Sequence, residues 1–355
     1  MSQNHNFFSN LAFNIAENNL GKTKKNPSVG CVIVKDEAVV SSGFTSISGR
    51  PHAEFNALNK DYNFNHSYMY VTLEPCTHYG LTPPCTNIIK KKRLRKVYYC
   101  FDDPDSRTFK KAQKVLKNKI VKLKKIDSIN SNFYQSYYIN KKKRLPYIDA
   151  KIAVSKDFYT INKTSKWITN TRSRKVSHLI RSKYDTIIST SVSINKDNSL
   201  LNCRINGLDN LKPDLVIIDR KMSLKKKLKI FKMTKKRNIY IFTSSKNKKK
   251  IDYFKKKNIK IIELSKMRTA DDFKLIFKKL FKLGKRRILI ESGLIFLNKL
   301  LEFKFINNLY LFKSGIRLNR KGYNNTRVNQ IRKLKLNKKI NVNLLNDELF
   351  KIRVI

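Results

Sequence analysis

Apolar positions near the amino terminus recur at close to helical spacing, and Phe7, Phe8, Leu11, Phe13, Ile15 and Ala16 predict an amphipathic helix within residues 3–20. The pattern then changes. NPSVGCVIVKDEAVVSSGF (26–44) has a Pro/Gly entry, the apolar run VGCVIV, a KDE turn and a second run AVV, which together predict a hairpin. HAEFNALNK predicts a short helix, SYMYVTLEP (67–75) a buried strand ending at Pro75, CTNIIKKK (85–92) a helix and RKVYYCFDDP (95–104) another strand. After Pro146 the series restarts. YIDAKIAV (147–154) predicts a strand, TRSRKVSHLIRSKYD (171–185) a helix, and TIIST (186–190), DLVIID (214–219) and RNIYIFT (237–243) further strands. RRILIESG (286–293) reads as a strand entering a Gly turn, LIFLNKLLEF (294–303) as a helix, and 324–339 as a polar loop or irregular hairpin. Strands alternating with helices predict layered α/β structure on both sides of the restart, with a boundary between residues 145 and 146.

A length of 355 residues fits two cores, because single cores stop growing near about 250–300 residues. No apolar run approaches the roughly 20 residues that span a bilayer, and MSQNHNFFSN has neither the basic nor the apolar segment of a secretory leader, so a soluble, cytoplasmic protein is expected. Five scattered Cys do not form a disulfide framework and remain available as thiols or metal ligands. The net charge of +53 would ordinarily point to nucleic acid. Here Lys far outnumbers Arg and accompanies abundant Asn, Ile, Phe and Tyr, all residues with A/T-rich codons, so the charge reads as solvated surface. A nucleic-acid partner is not expected, although anionic small molecules would be drawn to such a surface.

The chemistry concentrates in two short stretches. PHAE (51–54) and EPCTHYGLTPPC (74–85) present His-x-Glu followed by two Pro-Cys pairs, the residue order of zinc deaminases. In that arrangement His52, Cys76 and Cys85 would hold Zn²⁺ while Glu54, not a ligand, moves protons. Each choice has a reason: hydrolytic loss of a ring amine needs hydroxide at neutral pH, which a three-liganded Zn²⁺ supplies by acidifying water to a pKa of about 7. Ammonia leaves only once protonated, so a carboxyl must relay the proton. A helix starting near residue 52 would aim both side chains into one cavity. His5, His66 and His178 read as surface or packing residues, and His78, inside the loop, stands equally as a substrate contact or not.

Eight residues separate Cys76 from Cys85, unlike the Pro-Cys-x-x-Cys spacing of nucleic-acid base deaminases. NPSVGCVIVKD (26–36), PHAE, VTLEPCTHYGLTPPC (71–85) and DDPD (102–105) resemble, in order, the bifunctional riboflavin-biosynthesis family of diaminohydroxyphosphoribosylaminopyrimidine deaminase/5-amino-6-(5-phosphoribosylamino)uracil reductases. DAKIAVSKD (149–157), SKWIT (165–169), LIRSKYDTIISTSVSINKDNSLLNCR (179–204), LVIID (215–219) and LIESG (289–293) resemble its second half, so the likeness runs nearly the full chain. The resemblance implies a cytidine-deaminase-like three-layer α/β/α domain over 1–145 and a dihydrofolate-reductase-like α/β domain over 146–355. It implies hydrolytic deamination of a pyrimidine ribosyl phosphate, then NADPH reduction of the ribosyl group to ribityl, with Zn²⁺ and NADPH as cofactors; no membrane partner is expected, and a homo-oligomer is, although no residue pattern specifies its state.

Residue by residue, the resemblance places Asn26 in the deaminase pocket. It places Ala153, Trp167, Ser193, Asp197 and Gly293 against NADPH, and Lys151, Ser165, Arg181, Leu201, Arg204 and Glu291 against the substrate. Read without it, Trp167 is equally a core residue or a flat wall beside a nicotinamide, and the two arginines suit a phosphate or an exposed basic face. No G-x-G-x-x-G occurs, so an ordinary dinucleotide fingerprint is excluded. The chain departs from the family pattern at Leu81, at 106–114, at Phe158 where a Gly is usual, at Asn198-Ser199 and at Ser292. Phe158 is expected to forbid a positive φ and so to change the local turn. Two other readings are a deaminase with a decayed reductase domain and an RNA-binding or RNA-editing deaminase.

Overall fold

The computed structural model describes residues 4–124, 127, 130–208 and 212–355. The chain divides into two compact units, Met1–Leu145 and Pro146–Ile355.

In the first unit the elements run α1 (His5–Glu17), β1 (Gly30–Lys35), β2 (Ala38–Phe44), α2 (Ala53–Leu58), β3 (Tyr68–Leu73), α3 (Cys85–Lys91), β4 (Lys96–Phe101), α4 (Ala112–Leu116), β5 (Ile120–Lys122) and α5 (Gln135–Lys143). The strands form one sheet in the order β2-β1-β3-β4-β5. The hairpin pairs are antiparallel, as is β1 with β3, while β3, β4 and β5 run parallel. The apolar run of β1 is continuous because both faces are covered. Cys31 and Ile33 join the core beneath α2 and α3, whereas Val32 and Val34 pack with Phe8 and Ala12 of α1.

Two glycines set how closely the helices approach. A Cβ on Gly30 would lie 1.9 Å from the Ala12 carbonyl oxygen, so α1 rests directly on β1. A Cβ on Gly43 would lie 2.5 Å from both the Ala53 carbonyl oxygen and the Ala57 nitrogen, which seats α2 against β2. Helix α2 carries Glu54 and follows His52, so the small residue at 43 bears on the site. Gly43→Val is expected to push α2 off β2 and destabilise the first unit by about 1–3 kcal/mol, the usual cost of overpacking; urea unfolding of the purified variant checks this, and a wild-type midpoint would refute the role of this contact.

The second unit contains β6 (Tyr147–Val154), β7 (Ile161–Asn162), α6 (Thr171–Ser182), β8 (Thr186–Thr190), α7 (Ser191–Asp197), β9 (Asp214–Ile218), β10 (Ile239–Thr243), α8 (Lys248–Lys256), β11 (Lys260–Glu263), α9 (Ala270–Lys282), β12 (Arg287–Ile290), α10 (Leu294–Glu302), β13 (Asn308–Lys313), β14 (Gly322–Tyr323) and β15 (Glu348–Arg353). Eight strands form one sheet, β11-β10-β9-β8-β12-β6-β13-β15, parallel except for the last pair, and β7 pairs with β14 apart from it. Asn170 and Thr269 cap α6 and α9, the latter in a reciprocal capping box with Asp272. Among the described residues no helix is long and apolar enough to cross a membrane.

One expectation is corrected here. Phe158 does adopt a positive φ, 65°. Its turn is closed by the Phe158 amide donating to the Ser155 carbonyl at 3.0 Å and by the Tyr159 amide donating to Ser155 Oγ at 2.9 Å. Asn324 and Asn329 also donate to the Phe158 carbonyl, so surrounding hydrogen bonds hold a conformation that the residue alone disfavours.

Candidate functional site

In the first unit the chain delivers three donors to one point. His52 is the N-cap of α2, Cys85 opens α3, and Cys76 lies in the segment after β3. His52 Nδ1 stands 3.7 Å from Cys76 Sγ and 3.5 Å from Cys85 Sγ, and all three donor atoms fall within 4.8 Å of one another. Zn–S and Zn–N bonds of about 2.3 and 2.0 Å give tetrahedral ligand–ligand edges of roughly 3.5–3.8 Å. The observed nitrogen-to-sulfur separations therefore fit zinc as they stand. The Cys85 amide donates to Cys76 Sγ at 3.2 Å, and hydrogen bonding from Cys85, opposed by burial and aided by His52, lowers the Cys76 thiol to about 4.

Glu54 lies in the first turn of α2, two residues after His52, and is only 4% exposed. Burial, then the Cys76 charge, raises its carboxyl to about 7, so it exchanges a proton near neutrality. Asn26 donates through Nδ2 to the Gly49 carbonyl at 2.8 Å, tying the turn after α1 to the segment that leads into His52. Arg50 donates to Thr82 Oγ1 at 2.7 Å, so its guanidinium lies under the loop between the cysteines. His78 contacts Thr108 Oγ1 at 3.1 Å.

Glu74 was not singled out by sequence reasoning. It is buried and accepts from the amides of Asp103, Lys110 and Ala112 at 3.3, 3.0 and 3.1 Å, which anchors the 103–112 loop beside Cys76. The available signal was a charged residue ending an apolar strand immediately before Pro-Cys.

In the second unit, Arg181 of α6 makes a forked ion pair with Glu291, Nε to Oε1 at 2.5 Å and Nη2 to Oε2 at 2.9 Å. Lys151 of β6 lies 4.0 Å from the same carboxylate. Burial alone would raise the Glu291 carboxyl, but Arg181 and Lys151 hold it below its ordinary value. Burial lowers Lys151, and the Glu291 and Asp197 charges oppose that shift. Arg204 reaches Asn202 Oδ1 at 3.0 Å and His178 Nε2 at 3.2 Å. Leu201 is buried at φ 47°, and Arg237 of the turn before β10 holds its loop by donating to the carbonyls of Leu200, Leu201 and Pro213.

One of the expected cofactor contacts forms at the start of α10. The Gly293 amide donates to Ser193 Oγ at 3.1 Å, joining α7 to the turn before α10. Ser165 and Trp167 share a short turn, and Lys166 between them donates to the Asp197 carbonyl at 3.1 Å. Trp167 is 54% exposed with the Arg174 guanidinium 4.6 Å from its ring, which excludes the core reading of this residue. Ala153 packs at the edge of the apolar core.

His178 belongs with Arg181 and Arg204, not with the surface residues. Burial, then Arg181 and Arg204, lowers its imidazole to about 4 from the ordinary 6.5. Glu291 and the Asn202 carbonyl oppose this. Between those values the unfolded chain binds the extra proton, so this contribution to stability is complete above about pH 6.5 and is lost as pH falls toward 4. Wild type should therefore lose thermal stability relative to His178→Gln between pH 6.5 and pH 4.5; a constant difference in melting temperature would contradict it.

Comparison with known proteins follows the same division. Residues 2–101 match the cytidine and deoxycytidylate deaminase zinc-binding region, and residues 146–317 match the RibD C-terminal domain. Riboflavin biosynthesis protein RibD of Buchnera aphidicola is 31% identical over 328 residues, covering 86% of this chain and 86% of that protein. The chain belongs to the RibD family. The RibD of Aquifex aeolicus is 32% identical over 226 residues, and that alignment spans 61% of this chain but only 62% of the relative. Among solved structures, Acinetobacter baumannii RibD, form 1, superposes with a TM-score of 0.81 at 25% identity and covers 98% of each chain. The two-domain α/β architecture, deaminase-like and then reductase-like, is thus the RibD fold.

Proposed function

We propose that this RibD-family protein is a cytoplasmic bifunctional enzyme of riboflavin synthesis. It hydrolyses the 2-amino group of 2,5-diamino-6-ribosylamino-4(3H)-pyrimidinone 5′-phosphate, then reduces the ribosyl group to ribityl at the expense of NADPH. The single observation that carries the reading is the meeting of His52 Nδ1, Cys76 Sγ and Cys85 Sγ at tetrahedral-edge distances beside a buried glutamate.

Zinc held by His52, Cys76 and Cys85 would supply the Lewis acidity that makes hydroxide available at neutral pH. Glu54 carries one proton of the attacking water to the ring nitrogen and then the second, from the hydroxyl now on carbon, to the amine, so that the C–N bond breaks, a carbonyl remains and ammonia leaves. Asn26 and the 49–52 segment shape the pocket. In the second unit NADPH supplies the hydride. Ala153, Trp167, Ser193, Asp197 and the turn at Gly293 would hold it, while Lys151, Ser165, Arg181, Leu201, Arg204 and Glu291 receive the sugar phosphate. Glu291 keeps Arg181 aligned. The RNA-editing reading has no support in these features.

Purified protein supplied with the pyrimidine ribosyl phosphate and zinc should release ammonia without NADPH, and consume NADPH only after that release. Ammonia without NADPH consumption would leave a deaminase alone. Saturable RNA binding at physiological salt with no ammonia would overturn both activities.

A further inference from the structure

The cluster around His178 contains more than the ion pair of Arg181. Asn202 presents its carbonyl oxygen 2.8 Å from His178 Nδ1, and a carbonyl only accepts, so Nδ1 carries the ring proton. That leaves Nε2 as a lone pair, and it faces Arg204 Nη2 at 3.2 Å, a group that only donates. The partners on both sides thus specify one neutral tautomer, in keeping with the lowered imidazole described above. Arg181 Nη1 also comes within 3.3 Å of Nδ1, but it donates at 3.0 Å to the same Asn202 carbonyl, so the two donors share one acceptor.

The two guanidiniums differ in how their charge is met. Arg181 is matched by both oxygens of Glu291. Among the described residues Arg204 forms no ion pair; its partners, His178 Nε2 and Asn202 Oδ1, are neutral. Arg204 is itself exposed at the surface. A guanidinium oriented by neutral acceptors keeps its full charge and a forked donor edge for an incoming anion.

We propose that His178 is a positioning residue that pre-orients Arg204 for the phosphate of the reductase substrate. The inference rests on the reductase reading above and adds to it a side chain that need not touch substrate. Fixing a long side chain before binding removes part of the ordering cost that binding would otherwise carry, so the effect belongs in substrate affinity and not in the hydride step.

His178→Leu removes both ring contacts. It should raise KM for the deaminated sugar phosphate about tenfold in the NADPH-consuming step, the scale of a lost hydrogen bond to a charged group. Inhibition of that step by inorganic phosphate should weaken in parallel. KM for NADPH, kcat and ammonia release should stay within about twofold, the last serving as a check on the intact protein. His178→Gln, which keeps an acceptor for Arg204 and a donor for Asn202, should restore KM to within about threefold. On an Arg204→Gln background, His178→Leu should have no further effect on substrate KM. Independent, additive effects of the two substitutions, or an unmoved KM in His178→Leu, would overturn the inference while leaving the reductase reading intact. Wild-type protein that releases ammonia but never consumes NADPH would overturn both.

Discussion

Glu54→Gln should lower ammonia release by about 10²–10⁴-fold, the range by which a positioned acid/base group accelerates proton transfer, while zinc content stays at the wild-type level. The amide is nearly isosteric with the carboxyl, so the buried pocket at the start of α2 should remain filled. What disappears is the group that can both accept and return a proton. The raised carboxyl of Glu54 comes first from burial and then from the Cys76 charge, so it is sustained by the same fold that brings the ligands together. NADPH consumption with synthetic deaminated substrate should be unchanged. Retention of full ammonia release would remove Glu54 from the mechanism, and loss of zinc in this variant would show that it acts as a ligand.

Glu291→Ala should abolish NADPH consumption and lower the stability of the second unit by about 3–5 kcal/mol, the scale expected when one member of a buried ion pair is removed. Arg181 would lose both of its forked bonds, and Lys151 its nearby carboxylate, leaving two cations in a pocket built around one anion. Repulsion between them adds to desolvation. Trp167, the chain's single tryptophan, lies in the same unit, so urea unfolding followed by its fluorescence reads the change. Glu291→Gln should lie between Ala and wild type because it keeps hydrogen-bonding capacity without charge. An unaltered urea midpoint in Glu291→Ala would contradict the account of this cluster.

Much of the fold was legible because its elements carry strong local signals. The opening helix has apolar positions at helical spacing and an Asn4 cap, and it forms over His5–Glu17 within the expected range. The hairpin, β3, β4, β6, β8, β9, β10, β12 and α10 likewise fall on runs bounded by Pro, Gly or charged turns. What escaped notice was weakly patterned. Helix α5 ends in Lys141, Lys142 and Lys143 and buries only Ser136 and Tyr137, so it shows no apolar stripe. Strands β13 and β15 lie far apart in sequence and become a pair only through long-range register. Helix α7 begins directly after β8, where no turn residue intervenes.

The candidate sites divide in the same way. His-x-Glu and the two Pro-Cys pairs are short, ordered stretches, and their residue types already specify the chemistry. His178, Asn202, Glu74 and Arg237 act through contacts with residues distant in sequence or with backbone carbonyls and amides. Glu74 meets amides of residues 103–112, and Arg237 meets carbonyls of residues 200, 201 and 213. No spacing rule predicts those meetings. Phe158 failed as a sequence inference for a related reason: propensity disfavours its positive φ, and four hydrogen bonds from its surroundings prevail.

X-ray absorption at the zinc edge of protein purified without added metal probes the central claim most directly. One zinc per chain is expected, with two sulfur neighbours at about 2.3 Å and a nitrogen at about 2.0 Å, and Cys85→Ala should lose the metal. A first shell of oxygen and nitrogen alone, or full zinc occupancy in Cys85→Ala, would contradict it.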